Sequence, residues 1–166
     1  MAEPKRESEG GGVAVVRTST QPWAEVPHQG RFQQRRKHLG GERLSCGLWE
    51  LPPGKKSFPL HVHHCTEEAL FVISGCGQVR TPGGLTAVGP GDFVSFPAGG
   101  PAHQLVNDGT EPLVYVAMAA VGEADVVEYP DGDKVGVLVR KGAQAGKRFL
   151  FRPGAQVGYY DGEPDA

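Results

Sequence analysis

Short apolar runs alternate with glycine- and proline-rich turns from residue 43 to residue 120. Each run has the length of one β-strand, and no stretch with helical periodicity separates them. The runs cover residues 43–51, 67–74, 78–81, 85–88, 93–96, 102–106 and 113–119. Such even spacing predicts an all-β fold, either an antiparallel sandwich or a barrel. The chain's 25 glycines and 14 prolines agree with this prediction, because these residues favour the many turns that it requires.

The chain has 166 residues, enough for one globular domain with its own core. We expect a disordered or extended leader over 1–30, a β-barrel over 31–122, and a C-terminal extension over 123–166. Two strand-like segments of this extension flank a Pro-Asp-Gly turn at 130–132, and we expect them to pack on the barrel or on a partner subunit. The extra strands and an aromatic tail predict a homodimer, because unpaired strand edges favour association.

The charge balance indicates neither nucleic acid nor a membrane surface as a partner, because the net charge is −2 and the isoelectric point is near 6.3. A short basic cluster, Arg31, Arg35, Arg36 and Lys37, is interpreted as a solvated approach to the first core strand. The cysteine count of three and the absence of a secretory signal pattern predict a cytoplasmic protein without a disulfide framework. No apolar run approaches the roughly 20 residues that cross a bilayer.

The segment HVHHCTEE at 61–68 concentrates residues that can bind a metal. Side chains alternate between the two faces of a strand, so His61 and His63 share one face. Glu68 opens the next strand in phase with its apolar positions, and Glu67 and Glu68 cannot both point inward. His103 follows a Pro-Gly-rich bend that would return the chain to the same end of a barrel. Histidines and one carboxylate on a shared face are typical of a metal centre with open coordination positions.

Two motifs resemble those of the cupin superfamily. Residues 54–75, GKKSFPLHVHHCTEEALFVISG, are similar to the first cupin motif, and residues 91–107, GDFVSFPAGGPAHQLVN, are similar to the second. The resemblance implies a double-stranded β-helix, that is, a jelly-roll barrel, with extra N- and C-terminal strands. It also implies one divalent transition metal, Zn, Mn, Fe, Ni or Cu, bound by His61, His63, Glu68 and His103. The segment around Tyr-Pro-Asp at 129–131 resembles the C-terminal part of uncharacterised bacterial cupins.

Several other residues keep two interpretations. Cys65 is either a further ligand or redox-sensitive group, or a small loop residue. His64 is either a surface or interface residue, or a support for the metal site. Trp49, Phe71 and Tyr115 either line a substrate cavity or belong to the core. Gln78, Arg80 and Gln104 are candidate polar contacts for a ligand. Glu67, Arg80 and Tyr115 are the nearby candidates for an acid or a base, and the catalytic residues stay unassigned.

The function predicted from these features is a metal-dependent enzyme of oxygenase, isomerase or lyase type that acts on a small polar metabolite. The alternative is a non-catalytic cupin that binds or senses a small molecule. The fold does not choose between them, because one fold supports many functions.

Overall fold

The computed structural model describes residues 14–41, 43–141 and 144–164. Thirteen β-strands and two short 3-10 helices, Pro130–Gly132 and Pro153–Ala155, form the regular structure of these residues. The strands are β1 (Ala24–Glu25), β2 (Arg35–Gly40), β3 (Leu44–Leu51), β4 (Val62–His63), β5 (Glu67–Ser74), β6 (Gly77–Thr81), β7 (Gly84–Val88), β8 (Phe93–Phe96), β9 (Gln104–Val106), β10 (Leu113–Ala120), β11 (Ala124–Tyr129), β12 (Lys134–Lys141) and β13 (Gln144–Phe151). Residues 1–13 of the predicted leader lie outside the described residues, and residues 14–30 contribute β1.

The strands form three antiparallel sheets. Six strands make the largest sheet, in the order β1-β2-β3-β10-β5-β8. The three-stranded sheet β7-β6-β9 contributes to the same core, and the four-stranded sheet β13-β12-β11-β4 holds the C-terminal strands. The prediction of an all-β double-stranded β-helix with extra strands at both ends is therefore confirmed. Within the described residues, no helix has the length and apolar character needed to cross a bilayer.

Strand alternation builds the core between the sheets. Leu51 on β3, Val72 on β5 and Leu113 on β10 are fully buried, and Val79 on β6 packs in the same cluster. Residues two apart on a strand share a face, so β3, β5 and β10 of the large sheet contribute alternate side chains to this core. The same alternation places Glu68, four residues before Val72, on the inner face of β5. The packing of β5 thereby positions the side chain of Glu68.

Replacing Leu51 with alanine is expected to destabilise the fold strongly. Leu51 is 0% exposed, and a buried leucine-to-alanine change typically costs about 2–5 kcal/mol of unfolding free energy through lost burial and a residual cavity. Urea denaturation measures the change. Leu44→Ala on the same strand is the matched control, because Leu44 is 56% exposed and its removal should cost far less. Equal losses for the two variants would contradict the assigned core.

Candidate metal centre

His61 and His103 are paired directly across the ends of two strands. The backbone N–H of His103 donates to the carbonyl oxygen of His61 at 2.8 Å, and the reciprocal bond is 3.2 Å long. The two imidazole rings lie side by side, with their centroids 4.7 Å apart. This bridge lies immediately before β4 and before β9, so it joins the four-stranded sheet to the three-stranded sheet. Residues distant in sequence are thus fixed as neighbours by backbone hydrogen bonds.

Glu68 is the common neighbour of all three histidines. Its Oε2 lies 3.2 Å from Nε2 of His103 and 3.7 Å from Nε2 of His61. Its Oε1 lies 3.6 Å from Nε2 of His63. One ligand atom each from His61, His63 and Glu68 lies within 4.8 Å of the other two. The structure therefore brings His61, His63 and Glu68 into one cluster, and His103 adjoins it through Glu68 and the ring of His61.

The donor set of this cluster fits a divalent transition metal. Imidazole nitrogens and a carboxylate suit Zn, Mn, Fe, Ni and Cu. Ligand bonds of about 2.0–2.2 Å place neighbouring ligand atoms roughly 3.0–3.6 Å apart around one ion. The distances of 3.2, 3.6 and 3.7 Å between Glu68 and the three histidines are close to this range.

The outer nitrogens of two histidines are held by oxygen acceptors. Nδ1 of His61 donates to the carbonyl oxygen of Pro59 at 2.8 Å, and Nδ1 of His63 donates to Oδ2 of Asp125 at 2.5 Å. A carbonyl and an ionised carboxylate only accept hydrogen bonds, so Nδ1 carries the proton in each neutral ring. The Nε2 lone pairs are then available on the side of Glu68. This pattern is typical of histidines that bind metals.

The charge of Glu68 also suits a cation. Burial disfavours its ionised form, but the hydrogen bond from His103 and the nearby His61 and His63 outweigh this effect and hold the pKa of Glu68 well below its ordinary value. Glu68 is therefore a carboxylate at neutral pH. Metal binding requires deprotonated ligands, so this side chain needs no proton loss to coordinate an ion at that pH.

Asp125 is a residue of the site that sequence reasoning missed. It lies on β11, is 1% exposed, and accepts a second hydrogen bond from the backbone N–H of Cys65 at 3.0 Å. Burial disfavours its ionised form, but the hydrogen bonds that it accepts outweigh burial and lower the pKa of Asp125. The sequence pattern that could have indicated Asp125 is an acid two residues before an apolar residue on the same strand. Asp125 and Val127 share the inner face of β11, and both are buried.

A cavity of about 150 Å³ opens beside the cluster, with His61, Glu68 and His103 in its wall. The space arises because some inner positions of β3 and β10 hold small residues, whereas the inner positions that build the core hold large ones. These small residues are Ser45, Gly47, Ala117 and Ala119, which form the cross-strand pairs Ser45–Ala119 and Gly47–Ala117. Side chains of this size leave unfilled the volume that leucine or valine would occupy. The sequence thus places a ligand-sized space next to the cluster.

Two of the three aromatic candidates line this cavity. Trp49 and Tyr115 contribute to its wall and also belong to the core. The Tyr115 hydroxyl donates to Oε1 of Gln34 at 2.9 Å, and burial raises the pKa of Tyr115 well above its ordinary value. Phe71 was predicted to lie in the cavity or the core, and this prediction was wrong. Phe71 is out of phase with Leu70 and is 40% exposed on the outer face of β5.

Three residues of the HVHHCTEE segment lie away from the cavity. Glu67 is exposed, and Cys65 is an exposed residue of the connection between β4 and β5. His64 is also exposed, and its Nε2 lies 2.9 Å from Oε1 of Glu128. The loop interpretation of Cys65 and the surface interpretation of His64 agree with these positions.

Of the candidate polar contacts for a ligand, only Gln104 lines the cavity. Its side chain is buried, at 1% exposure, and its Oε1 lies 3.4 Å from Nη1 of Arg80. Arg80 itself forms a two-pronged ion pair with Asp131, through contacts of 2.5 and 3.0 Å. Gln78 bonds to Asp108 at the surface. Arg80 is thus occupied by a carboxylate outside the cavity.

Apposed antiparallel sheets, with imidazoles and a carboxylate gathered beside a cavity, define a β-barrel protein with a candidate metal centre. Residues 47–119 match the model of the cupin domain, a region that includes all four predicted ligands. Residues 47–119 therefore form a cupin domain. A comparison with curated proteins finds no significant match.

Solved structures share this architecture. A provisionally named sugar phosphate isomerase from Acidithiobacillus ferrooxidans is 29% identical, with a TM-score of 0.76 over 87% of this chain and 95% of that chain. A sugar phosphate isomerase of the cupin superfamily from Silicibacter pomeroyi is 22% identical, with a TM-score of 0.74 over 89% of this chain and 98% of that chain. A predicted oxalate decarboxylase from Thermotoga maritima is 21% identical, with a TM-score of 0.58 over 65% of this chain and 99% of that chain.

Proposed function

We propose that the chain is a metal-dependent enzyme of isomerase type that acts on a small polar metabolite. In this proposal one divalent transition metal is bound by His61, His63, Glu68 and His103. The observation that carries it is the position of His61, Glu68 and His103 in the wall of a cavity, where a substrate can reach them, with His63 beside Glu68. A metal centre with open positions needs such an approach, whereas a purely structural site is closed by its ligands.

The chain's own residues would bind and orient the substrate. A divalent ion at the cluster would supply a Lewis acid that polarises a carbonyl or hydroxyl oxygen. Leu70, Phe96 and Leu105 form an apolar part of the cavity wall, which limits the water around a bound molecule. Tyr115 also lines the cavity, and its hydroxyl donates a hydrogen bond to Gln34.

The isomerase class is supported by similarity to a solved structure. The Acidithiobacillus protein aligns with most of this chain, and its provisional name is sugar phosphate isomerase. A sugar phosphate offers neighbouring hydroxyl and carbonyl oxygens that suit a Lewis-acid centre. We therefore take small aldose and ketose phosphates as the first substrate class to test.

A specific observation favours a second candidate, a non-catalytic binding or sensing protein. Two of the three predicted acid or base candidates lie outside the cavity, since Glu67 is exposed and Arg80 is paired with Asp131. The third, Tyr115, already donates a hydrogen bond from its hydroxyl to Gln34. A binder needs a lined cavity but no proton-transfer group.

Elemental analysis and a turnover screen together test the proposal. Protein purified without chelator is expected to hold about one equivalent of a first-row metal, or to gain one on dialysis against Zn, Mn, Fe, Ni or Cu. The loaded protein is then incubated with four- to six-carbon aldose and ketose phosphates in deuterated water, and NMR detects interconversion and deuterium incorporation. Binding without turnover across this panel would favour the second candidate. Absence of any stoichiometric metal after dialysis would refute the metal centre.

A further inference from the structure

Strand alternation separates the residues of the basic cluster at 31–37. Arg35 and Lys37 lie on one face of β2 and have protein partners, whereas Arg36 lies on the other face. Arg35 forms an ion pair with Glu50, with its Nη2 2.8 Å from Oε1. Lys37 donates from Nζ to the carbonyl oxygen of Thr18 at 2.7 Å. Both residues lie on the same face of β2, where their charged groups stack against Trp23. Their charges are therefore engaged outside the barrel.

Arg36 lies on the opposite face of β2 and lines the cavity that contains the cluster. It is paired across the strands with Trp49, and its guanidinium carbon lies 5.5 Å from the centroid of the indole ring. Among the described residues, Arg36 has no hydrogen-bond partner or carboxylate for its side chain. His38, two residues further on the same face, is exposed and also lines the cavity. The cavity lining thus includes an exposed cation whose N–H groups have no partner in the described part of the chain.

The charge balance of the cavity favours an anion. Glu68 is the one carboxylate in its lining, and a divalent ion at the cluster would more than neutralise it. Arg36 adds a further positive charge. A guanidinium stacked on an aromatic face keeps its N–H edge available, and this edge matches the oxygens of a phosphate or a carboxylate.

We propose that Arg36, assisted by His38, binds the anionic group of the substrate at one end of the cavity while the cluster of His61, Glu68 and His103 binds the other end. This inference rests on the proposed function and specifies its substrate class as a short hydroxylated compound with a terminal phosphate or carboxylate.

The cavity volume limits the size of that compound. Arg36 on β2 and Glu68 on β5 are three strand positions apart, and Glu68 is also four residues further along the sheet than the residue of β5 that is level with Arg36. The small pair Gly47 and Ala117 lies diagonally between them. A space of about 150 Å³ fits a chain of a few carbon atoms better than a large metabolite.

The test compares Arg36→Met with Arg35→Met in full-length protein. Methionine keeps an apolar stem but removes the charge, and Arg35 is the neighbouring arginine on the outer face of the strand. Calorimetry with inorganic phosphate, with glycerol phosphate and with glycerate, each at fixed ionic strength, measures anion binding to chelator-treated and to metal-loaded protein. The Trp49 indole N–H resonance reports whether the anion binds at this position.

We expect Arg36→Met to weaken phosphate or carboxylate binding at least 10-fold and to abolish the shift of the Trp49 resonance. Arg35→Met should leave both unchanged. Arg36→Lys should recover only part of the affinity, because lysine keeps the charge but loses the two-pronged geometry. A preference for glycerol phosphate over glycerate would identify the anionic group as phosphate, and the reverse preference would identify it as carboxylate.

The outcomes separate this inference from the proposed function. Unchanged anion binding in Arg36→Met, with metal still bound, would overturn the role of Arg36 and leave the metal centre intact. Arg36-dependent anion binding in a protein that takes up no metal would support the anion site and refute the metal centre. Equal weakening by Arg35→Met would show a non-specific effect of surface charge and would also overturn the inference.

Discussion

Replacing His61 with alanine is expected to remove stoichiometric metal binding. His61 is buried, it is paired with His103 through two backbone hydrogen bonds, and its Nε2 faces Glu68. Alanine removes one of the proposed ligands and leaves the backbone bridge in place. Loss of a residue that supports a ligand typically costs 10- to 100-fold in metal affinity, so loss of a ligand itself should cost more than about 100-fold. Competition with a chromophoric chelator measures this affinity, and elemental analysis measures the bound metal.

His64→Ala is the matched control for this experiment. His64 is in the same segment, but it is exposed and contacts Glu128 rather than Glu68. Its replacement should leave the metal content unchanged. Equal metal content in His61→Ala and the unmodified protein would contradict the proposed ligand set, provided that thermal unfolding shows both to be folded. A loss in His64→Ala as large as that in His61→Ala would contradict the assignment of faces in this segment.

The fold and the core of the cluster follow from local properties of the sequence. Period-two alternation predicts that Glu68 shares a face with Val72, and in the structure Val72 is fully buried while Glu68 faces the histidines. The spacing of His61 and His63 likewise places both on one side, although β4 is only two residues long. The face on which each side chain lies can be predicted from the sequence, because it depends only on neighbouring residues of the same strand.

The positions of Asp125 and Arg36 could not be predicted in the same way, because they depend on which strands pair with each other. Asp125 is 62 residues from His63, and the two meet only because β11 pairs with β4. Arg36 reaches the cavity because β2 joins the large sheet beside β3, although its sequence resembles a solvated basic run. Alternation assigns each of these residues to a face, but it does not specify which part of the barrel that face meets.

Asp125→Asn is expected to weaken metal binding by about 10- to 100-fold while leaving all four proposed ligands in place. The Asp125 carboxylate accepts hydrogen bonds from Nδ1 of His63 and from the backbone N–H of Cys65. Asparagine has nearly the same shape, but its single uncharged oxygen cannot accept both bonds as well or stabilise the polarised imidazole. His63 would then be held less firmly in the ring orientation that presents Nε2 to an ion.

Glu128→Gln provides a close control, because Glu128 is on the same strand and pairs with the adjacent histidine, His64, on the exposed face. Both variants change one carboxylate to an amide beside one histidine, and only Asp125 is buried behind a proposed ligand. Metal titration of both proteins should therefore show weaker binding in Asp125→Asn alone. Unaltered affinity in Asp125→Asn would mean that His63 is not a ligand or that its orientation is fixed by other contacts. His63→Ala alone separates these cases, because it weakens metal binding strongly only if His63 is a ligand.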